Sequence, residues 1–173
     1  MQTLAYKEQT PQDADFVRMM YTSRLRKYKH ASEHALARKK LVQDYGLGDN
    51  PDVLFSFADA LYSHFRWADC FTVTSRQVSQ TFARPRILMQ LLNFRILGLV
   101  TVHAPTMPLH IACLYHLSHL HSKLFILAHE LVEREPENPI SWYAVGVWYL
   151  TIKKWSEART YFRSVTSAYI VGI

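Results

Sequence analysis

The segment HIACLYHLSHLHS holds the densest set of side chains that can bind a metal ion or move a proton. His110, His116, His119 and His121 lie within twelve residues, and a helix would place His116 and His119 on one face. A zinc site needs three or four ligands that converge on one point. Because no carboxylate lies nearby in sequence, we expect these histidines to pack between helices or line a groove, with no bound metal or other cofactor.

The chain's two cysteines, Cys70 and Cys113, are the next candidates for chemistry. Two cysteines cannot form a disulfide framework, so they indicate reduced, buried thiols of an intracellular protein. Helical spacing places Cys70 where two helices cross, which favours packing over nucleophilic catalysis. No Ser-His-Asp set, phosphate-binding loop or carboxylate pair stands out. The sequence therefore predicts a protein that is not an enzyme and binds no small molecule.

Charge gives weak support for nucleic-acid binding. The net charge is +6, from 20 basic and 14 acidic residues, but Arg84, Arg86 and Arg95 all fall in one unusual segment without an acid. Without them the excess of basic residues is halved. The runs RLRKYK and ARKKL are typical of solvated helix faces, and phosphate binding is the alternative. We expect no nucleic-acid partner.

A membrane span is also not expected. Residues 96–122 contain no Lys, Arg, Asp or Glu, but they include five histidines and two prolines and no apolar run of about 18 residues. The opening MQTLAYKEQTPQDAD is polar and acidic, unlike a secretory signal.

Helix signals recur in pairs along the chain. Asn50-Pro51 and Asn138-Pro139 each combine a capping side chain with a first-turn proline, Thr10-Pro11 repeats this pattern, and Ser156 is predicted to cap the last helix. Gly46 marks a helix end that needs positive φ. The spacing predicts an all-α chain with helix pairs at about 11–45, 51–76, 105–134 and 139–168.

The segment SWYAVGVWYLTIKKWSEARTYF indicates a repeat. Its bulky, small and aromatic positions resemble the tetratricopeptide pattern, in which small residues mark a close helix crossing. Ala112 stands 34 residues before Gly146, and Ala58 stands 54 residues before Ala112. The resemblance implies one α-solenoid over residues 1–173, with about three helix pairs that carry this small-residue spacing, at Ala58, Ala112 and Gly146. Its packing positions are Ala58, Ala112, Trp142, Gly146, Tyr149, Ala158 and Phe162.

Residues beyond the packing positions resemble one tetratricopeptide family. HSKLFILAHELVEREPENPISWYAVGVWYLTIKKWSEARTYFR and VLFSFADALYSHFRWAD are similar to the scaffold subunit of the anaphase-promoting complex known as cell division cycle protein sixteen or Cut nine. The resemblance covers roughly residues 3–76 and 96–168. Because the family is much longer and the ending SAYIVGI departs from it, we interpret the chain as a fragment, with apolar ends that favour aggregation.

The resemblance implies a non-catalytic scaffold that supports ubiquitin ligation in mitosis, in the nucleus and cytoplasm. It also implies contacts with other subunits of a ubiquitin-ligase complex, and homodimerisation in the full-length family. The alternative is a generic tetratricopeptide adaptor that binds another protein or peptide in its concave groove.

The concave groove is predicted to be apolar. Clamps of this fold that bind terminal carboxylates use Lys and Asn, which these positions lack, so we expect no such tail to bind. The side chains face either a protein chain or the next helix pair, and both alternatives stay open. The predicted groove positions are Phe55, Asp59, Tyr62, Leu109, Cys113, His116, Ile140, Tyr143, Val147 and Leu150.

Residues 77–95 do not fit the helical period. Joining Arg76 to Ile96 shortens the Ala58–Ala112 spacing to 35 residues, close to one repeat. Gln77-Val78-Ser79 can be encoded by a splice-donor sequence, and the segment has 19 residues. We therefore predict a retained intron, which would displace the end of one helix. The alternative is a real amphipathic helix, since Ile87, Leu88 and Leu91 could pack.

Overall fold

A computed structural model describes residues 11–25, 30–82 and 105–171 of the chain. Within these ranges there are eight α-helices, two short 3₁₀ turns (Leu47–Asp49 and Ser118–Leu120) and no strand, so the all-α prediction is confirmed. The helices are α1 Pro11–Leu25, α2 Ala31–Gln43, α3 Pro51–Ser63, α4 Trp67–Phe82, α5 Thr106–His116, α6 His121–Arg134, α7 Pro139–Thr151 and α8 Trp155–Val171.

Three of the predicted helix-end signals are present and one is wrong, while the predicted cap Thr10 lies outside the described residues. The Asn50 side chain accepts a hydrogen bond from the backbone of Asp52 at 2.9 Å, and Asn138 accepts one from Ile140 at 3.0 Å. Gly46 has a φ of +65°, as a glycine after a helix end allows. The prediction for Ser156 is wrong, because α8 begins at Trp155 and the Ser156 hydroxyl donates to the neighbouring Glu157 carboxylate.

The chain divides into two compact units, residues 1–60 and 61–173, and the boundary falls within α3. The sequence predicts one array over this length. The first unit has a small core of Met19, Ala37, Leu41 and Val53, from α1, α2 and α3. Beside it, the nearly buried carboxylate of Asp15 lies 3.5 Å from the Tyr45 hydroxyl and about 4 Å from Arg18 and Lys40.

The second unit has the larger core, centred on α5, α6 and α7. Its members are apolar residues at helical spacing that turn one face inward, and burial of such side chains supplies most of the stability of a helix pair. Several of them, from α5 and α6, are completely or almost completely buried. The buried members of this core are Val78, Met107, Ile111, Leu114, Leu124, Leu127, Ala128, Leu131, Ala144 and Val147.

The pair α3–α4 and the pair α7–α8 have the same local geometry, shifted by 88 residues. Their first helices each have 13 residues, and their second helices begin at Trp67 and Trp155. The turns match as well: Phe65 and Lys153 both have a φ of +61°. Their backbone amides donate to the residue three before at 3.0 and 3.1 Å, respectively. The two turns therefore share one backbone geometry, at the 88-residue spacing that the periodic pattern predicts.

Helix α4 continues past Arg76, where the sequence predicts its pair to end, and reaches Phe82. Gln77 and Val78, the first residues of the unusual segment, are buried. Val78 belongs to the core of the second unit, and the Thr106 hydroxyl lies 3.3 Å from the Gln77 side-chain oxygen. This part of the segment thus extends the helix. Residues 83–95 lie outside the described residues, and the intron stays a prediction that transcript sequencing across the junction tests.

Candidate protein-interaction surface

His110 is the most enclosed of the four clustered histidines. Helix α5 places its ring against α4, where Nδ1 lies 2.8 Å from the Thr74 hydroxyl and the ring stacks on Phe71 with centroids 5.1 Å apart. Burial lowers the pKa of His110 from its ordinary 6.5 to about 4, because the charged form loses its hydration. His110 is therefore a neutral packing residue at pH 7, as the sequence interpretation allows.

His116, one and a half turns further along α5, lies at the surface. Its ring stacks on Trp67 with centroids 4.1 Å apart and an interplanar angle of 10°. Its Nε2 is 3.2 Å from the Tyr62 hydroxyl. Phe65, which is 77% exposed, meets the Trp67 ring edge-on. These four rings form the aromatic surface of the second unit, and rings with both apolar and polar parts are common at protein interfaces.

The other two histidines have separate surroundings. His121 Nε2 lies 3.0 Å from the Tyr115 carbonyl oxygen, and His119 is exposed in the 3₁₀ turn. In the described ranges, no three His, Cys, Asp or Glu side chains come together in a way that could hold a metal ion. No helix among the described residues is long and apolar enough to cross a membrane.

Cys70 and Cys113 are both fully buried free thiols. A hydrogen bond with Cys70, then burial and the charge of Cys70, raise the pKa of the Cys113 thiol far above its ordinary value. A thiol in this state stays protonated at neutral pH and is a poor nucleophile. The pair therefore joins α4 to α5 by packing.

The ten predicted groove positions do not all reach the surface. Cys113 and Val147 are buried, Cys113 against Cys70 of the preceding helix pair and Val147 in the core. Tyr62 is half-buried, and its pKa is raised first by burial and then by the charges of Cys113, Tyr143 and Cys70. His116 is exposed. The remaining half-buried positions are Phe55, Asp59, Leu109, Ile140, Tyr143 and Leu150, and their groove role stays a prediction.

The seven predicted repeat-packing residues differ in burial and in the rings that they contact. Ala58 and Ala158 are buried, and Gly146 lies directly against the Phe162 ring. Trp142 and Tyr149 do not touch Phe162 in a ring pair; both stack on Tyr161, with centroids 5.9 and 5.2 Å away. Ala112 is only half-buried.

Ser141 is a structural residue that the sequence analysis missed, and the ring contacts of Tyr161 were missed as well. The fully buried Ser141 hydroxyl lies 2.7 Å from the Glu135 carbonyl and 3.1 Å from that of Leu131, at the end of α6. It satisfies carbonyls that a helix end leaves without partners. The signal in the sequence that could have indicated this role is the position of Ser141, a polar residue two residues after the Asn138-Pro139 helix start. Tyr161 stacks on Trp142 and Tyr149, whose spacing of seven residues places them on one face of a helix.

The basic runs are partly engaged within the first unit. The Arg38 guanidinium lies 4.2 Å from the centre of the Phe57 ring. Burial of this guanidinium lowers the pKa of Arg38. Lys40 faces Asp15 at 4.0 Å. Residues 26–29 of RLRKYK lie outside the described residues.

Paired helices with a shared turn geometry, small residues at the crossings and large aromatics around them define a tetratricopeptide-type helical array. No protein-family model matches the chain. Similar proteins do match. The chain is 33% identical over 159 residues to the anaphase-promoting complex subunit cut9 of Schizosaccharomyces pombe. It is 28% identical over 151 residues to the anaphase-promoting complex subunit CDC16 of Saccharomyces cerevisiae. It is 29% identical over 168 residues to the human cell division cycle protein 16 homolog.

These alignments cover 92%, 87% and 96% of this chain, but only 21%, 16% and 23% of those proteins. A solved structure agrees with them: Cut9 in the APC/C hetero-tetramer Cut9–Hcn1 matches with a TM-score of 0.67 and 29% identity. That match covers 92% of this chain and 27% of the solved one. The chain is thus homologous to one segment of the Cut9, CDC16 and APC6 subunits, and the sequence resemblance is confirmed.

Proposed function

We propose that this chain is a non-catalytic scaffold segment, whose helical repeats hold neighbouring subunits of the anaphase-promoting complex in place. The observation that carries the proposal is the structural match to Cut9 along 92% of the chain, at 29% identity. Repeat arrays of this type stack quasi-one-dimensionally and present long surfaces to other chains. A contact surface of this kind acts through shape and side-chain chemistry, without a reaction.

The chemistry of the described residues supports a binding role over catalysis. The Cys113 thiol has a raised pKa and is fully buried, and His110 is neutral and enclosed by α4. A general base or nucleophile needs both access to substrate and a pKa near the working pH. The second unit also presents a cluster of aromatic rings, with Phe65 and His116 exposed and Trp67 half-buried between them.

The finer parts of the proposal rest on the relatives' roles as cell-division proteins. We infer that the chain supports ubiquitin ligation in mitosis, and that it acts in the nucleus and the cytoplasm. We also infer that its partners are other subunits of the same complex and not nucleic acids or small molecules. We propose homodimerisation only for the full-length proteins of the family, not for this segment by itself. The charge of +6 gives little reason to expect nucleic acid, because three of the arginines lie within residues 77–95.

Affinity purification tests the proposal. The epitope-tagged chain is expressed in fission yeast, and proteins that co-purify are identified by mass spectrometry. We expect other subunits of the anaphase-promoting complex in the wild-type sample and their loss with Gly146→Leu, because a side chain at this position collides with Phe162. The control is Gly48→Ala, since a Cβ there meets only Val42 at an ordinary 3.6 Å. Recovery of chaperones without any other subunit would contradict the proposal and favour a generic adaptor.

A further inference from the structure

Two thiols meet inside the contact between α4 and α5. Cys70 and Cys113 are both fully buried, and a hydrogen bond joins their side chains. They are 43 positions apart in the sequence, and the residues between them include the unusual segment 77–95. The chain has no other cysteine, so a disulfide within one chain can only join these two.

The neighbouring contacts fix the register of α4 against α5. Near one end, the Trp67 ring stacks on that of His116, with centroids 4.1 Å apart. Near the other end, the Thr106 hydroxyl lies 3.3 Å from the Gln77 side-chain oxygen. Moving ten residues forward along α4 therefore corresponds to moving ten residues back along α5, as in two antiparallel helices that stay in contact along their length.

The same register places the two cysteines opposite each other. Cys70 follows the α4 member of the stacked ring pair by three residues, and Cys113 precedes the α5 member by three. Beyond the cysteines, the Thr74 hydroxyl lies 2.8 Å from His110 Nδ1. Residues three or four apart share one face of a helix, so Cys70 faces the same side as Thr74, and Cys113 the same side as His110. Contacts on either side thus hold the thiols together, independently of the hydrogen bond between them.

A thiol pair in this position has a chemistry that a single thiol lacks. Within the described ranges no third His, Cys, Asp or Glu joins the pair in a group that could hold a metal ion. The two sulfur atoms, already in contact, need only come closer to reach the disulfide bond length of about 2 Å. Because both thiols are buried, a reagent reaches them only when the α4–α5 contact opens, so exchange is slow. The pair is therefore suited to a disulfide that forms slowly and lasts.

We propose that Cys70 and Cys113 are a redox-sensitive link, which exchange with a small-molecule disulfide closes between α4 and α5. One cysteine first attacks the small disulfide, whose S–S bond breaks, and a mixed disulfide and one free thiol result. The other cysteine then attacks the mixed disulfide, forms the Cys70–Cys113 bond and releases the second thiol. The dithiol is oxidised, the small disulfide is reduced, and the two cysteine protons end on the released thiols. The link restrains α4 against α5 beyond packing, and it does not depend on which complex the chain enters.

Equilibration with glutathione tests the link. The full chain is incubated in mixtures of reduced and oxidised glutathione, without denaturant and in concentrated urea, starting from both the reduced and the oxidised chain. Free thiols are then alkylated, and mass spectrometry measures the intramolecular disulfide and each glutathione adduct. These amounts give the effective concentration of one cysteine thiol toward the other. We expect the effective concentration in the native chain to exceed that in urea by at least about 30-fold, because a disulfide that fits the fold forms more readily in it.

Moving one thiol along α4 provides the matched control. Cys70→Ala with Thr72→Cys shifts it by two positions to an exposed site, where it is more accessible but no longer faces Cys113. We expect this variant to carry glutathione adducts in place of the link, and circular dichroism confirms that it folds. The proposal is overturned if the wild-type native value is equal to or below the value in urea, or if the native chain stays reduced where the chain in urea is linked. Glutathione adducts or disulfide-linked dimers in place of the link, or an equal value for the shifted pair, would overturn it too.

Discussion

Gly146 lies directly against the ring of Phe162, so closely that a Cβ at this position would be 2.7 Å from the ring carbon Cε1. This contact joins α7 to α8 at the crossing of the last helix pair. Glycine costs a helix interior about 1 kcal/mol relative to alanine, so the residue is here for close approach rather than for helix formation.

Replacing Gly146 with alanine is therefore expected to destabilise the chain by about 1–3 kcal/mol, despite the better helix propensity of alanine. Urea denaturation followed by circular dichroism measures the loss. Gly146→Ala combined with Phe162→Leu should recover part of it, because the smaller side chain leaves room. A stability increase in the single variant would show that the crossing is loose.

His110 makes stability depend on pH. Its pKa is about 4 in the folded chain and 6.5 ordinarily, so between these values the unfolded chain binds more protons. The stability contribution is complete above pH 6.5 and is lost as pH falls toward 4, by about 3 kcal/mol in total. Denaturation of wild type and His110→Phe from pH 4 to pH 7.5 should show that, as pH falls, wild type loses about 3 kcal/mol more free energy of unfolding than the variant does. Parallel curves would show that His110 does not titrate as an enclosed group.

Lys153 occupies a strained backbone position. Its φ of +61° is unfavourable for a residue with a Cβ, and its side chain is exposed. Lys153→Gly is expected to raise the free energy of unfolding by about 0.5–1 kcal/mol. Relief of the backbone strain is larger than this, but the conformational entropy that glycine adds to the unfolded chain offsets part of it. The control is Lys154→Gly, the next residue, which has no positive φ and should lose stability. Equal effects at both positions would rule out backbone strain as the cause.

The buried thiol pair predicts slow chemistry at Cys113. With its pKa raised by Cys70 and by burial, Cys113 should react with iodoacetamide at pH 8 at least about 100-fold more slowly than in denaturant. Mass spectrometry of peptides from the labelled wild-type chain follows Cys113 separately from Cys70. A native labelling rate close to the denatured rate would show that the α4–α5 contact opens readily.

Local signals in the sequence were sufficient for much of the fold. The side-chain oxygens of Asn50 and Asn138 need only their own helix to form a cap, and both caps are present. Gly146 and Ala158 could be predicted because small residues recur at a fixed spacing when helices cross closely. The Ser156 cap was predicted wrongly, because the helix begins one residue earlier, at Trp155, and the Ser156 hydroxyl donates to the Glu157 carboxylate.

The candidate surface was less predictable, because its contacts join residues far apart in the chain. His116 stacks on Trp67, 49 residues away, and His110 meets Thr74 across 36 residues. The sequence around a histidine does not indicate which distant residue its ring will contact. A packing role could therefore be expected for these histidines, but their contacts could not be predicted. The turns at Phe65 and Lys153 gave no signal either, because neither position has the glycine that positive φ favours.

A chimera tests the scaffold role most directly. The homologous segment of fission yeast Cut9 is replaced by this chain, and the assembled complex is purified through a tag on another subunit. If the chain is a scaffold segment of this complex, the chimera co-purifies with the other subunits at near wild-type yield, and Gly146→Leu in the chimera abolishes this. A chimera that folds, as judged by a cooperative melt, yet fails to enter the complex would contradict the scaffold role.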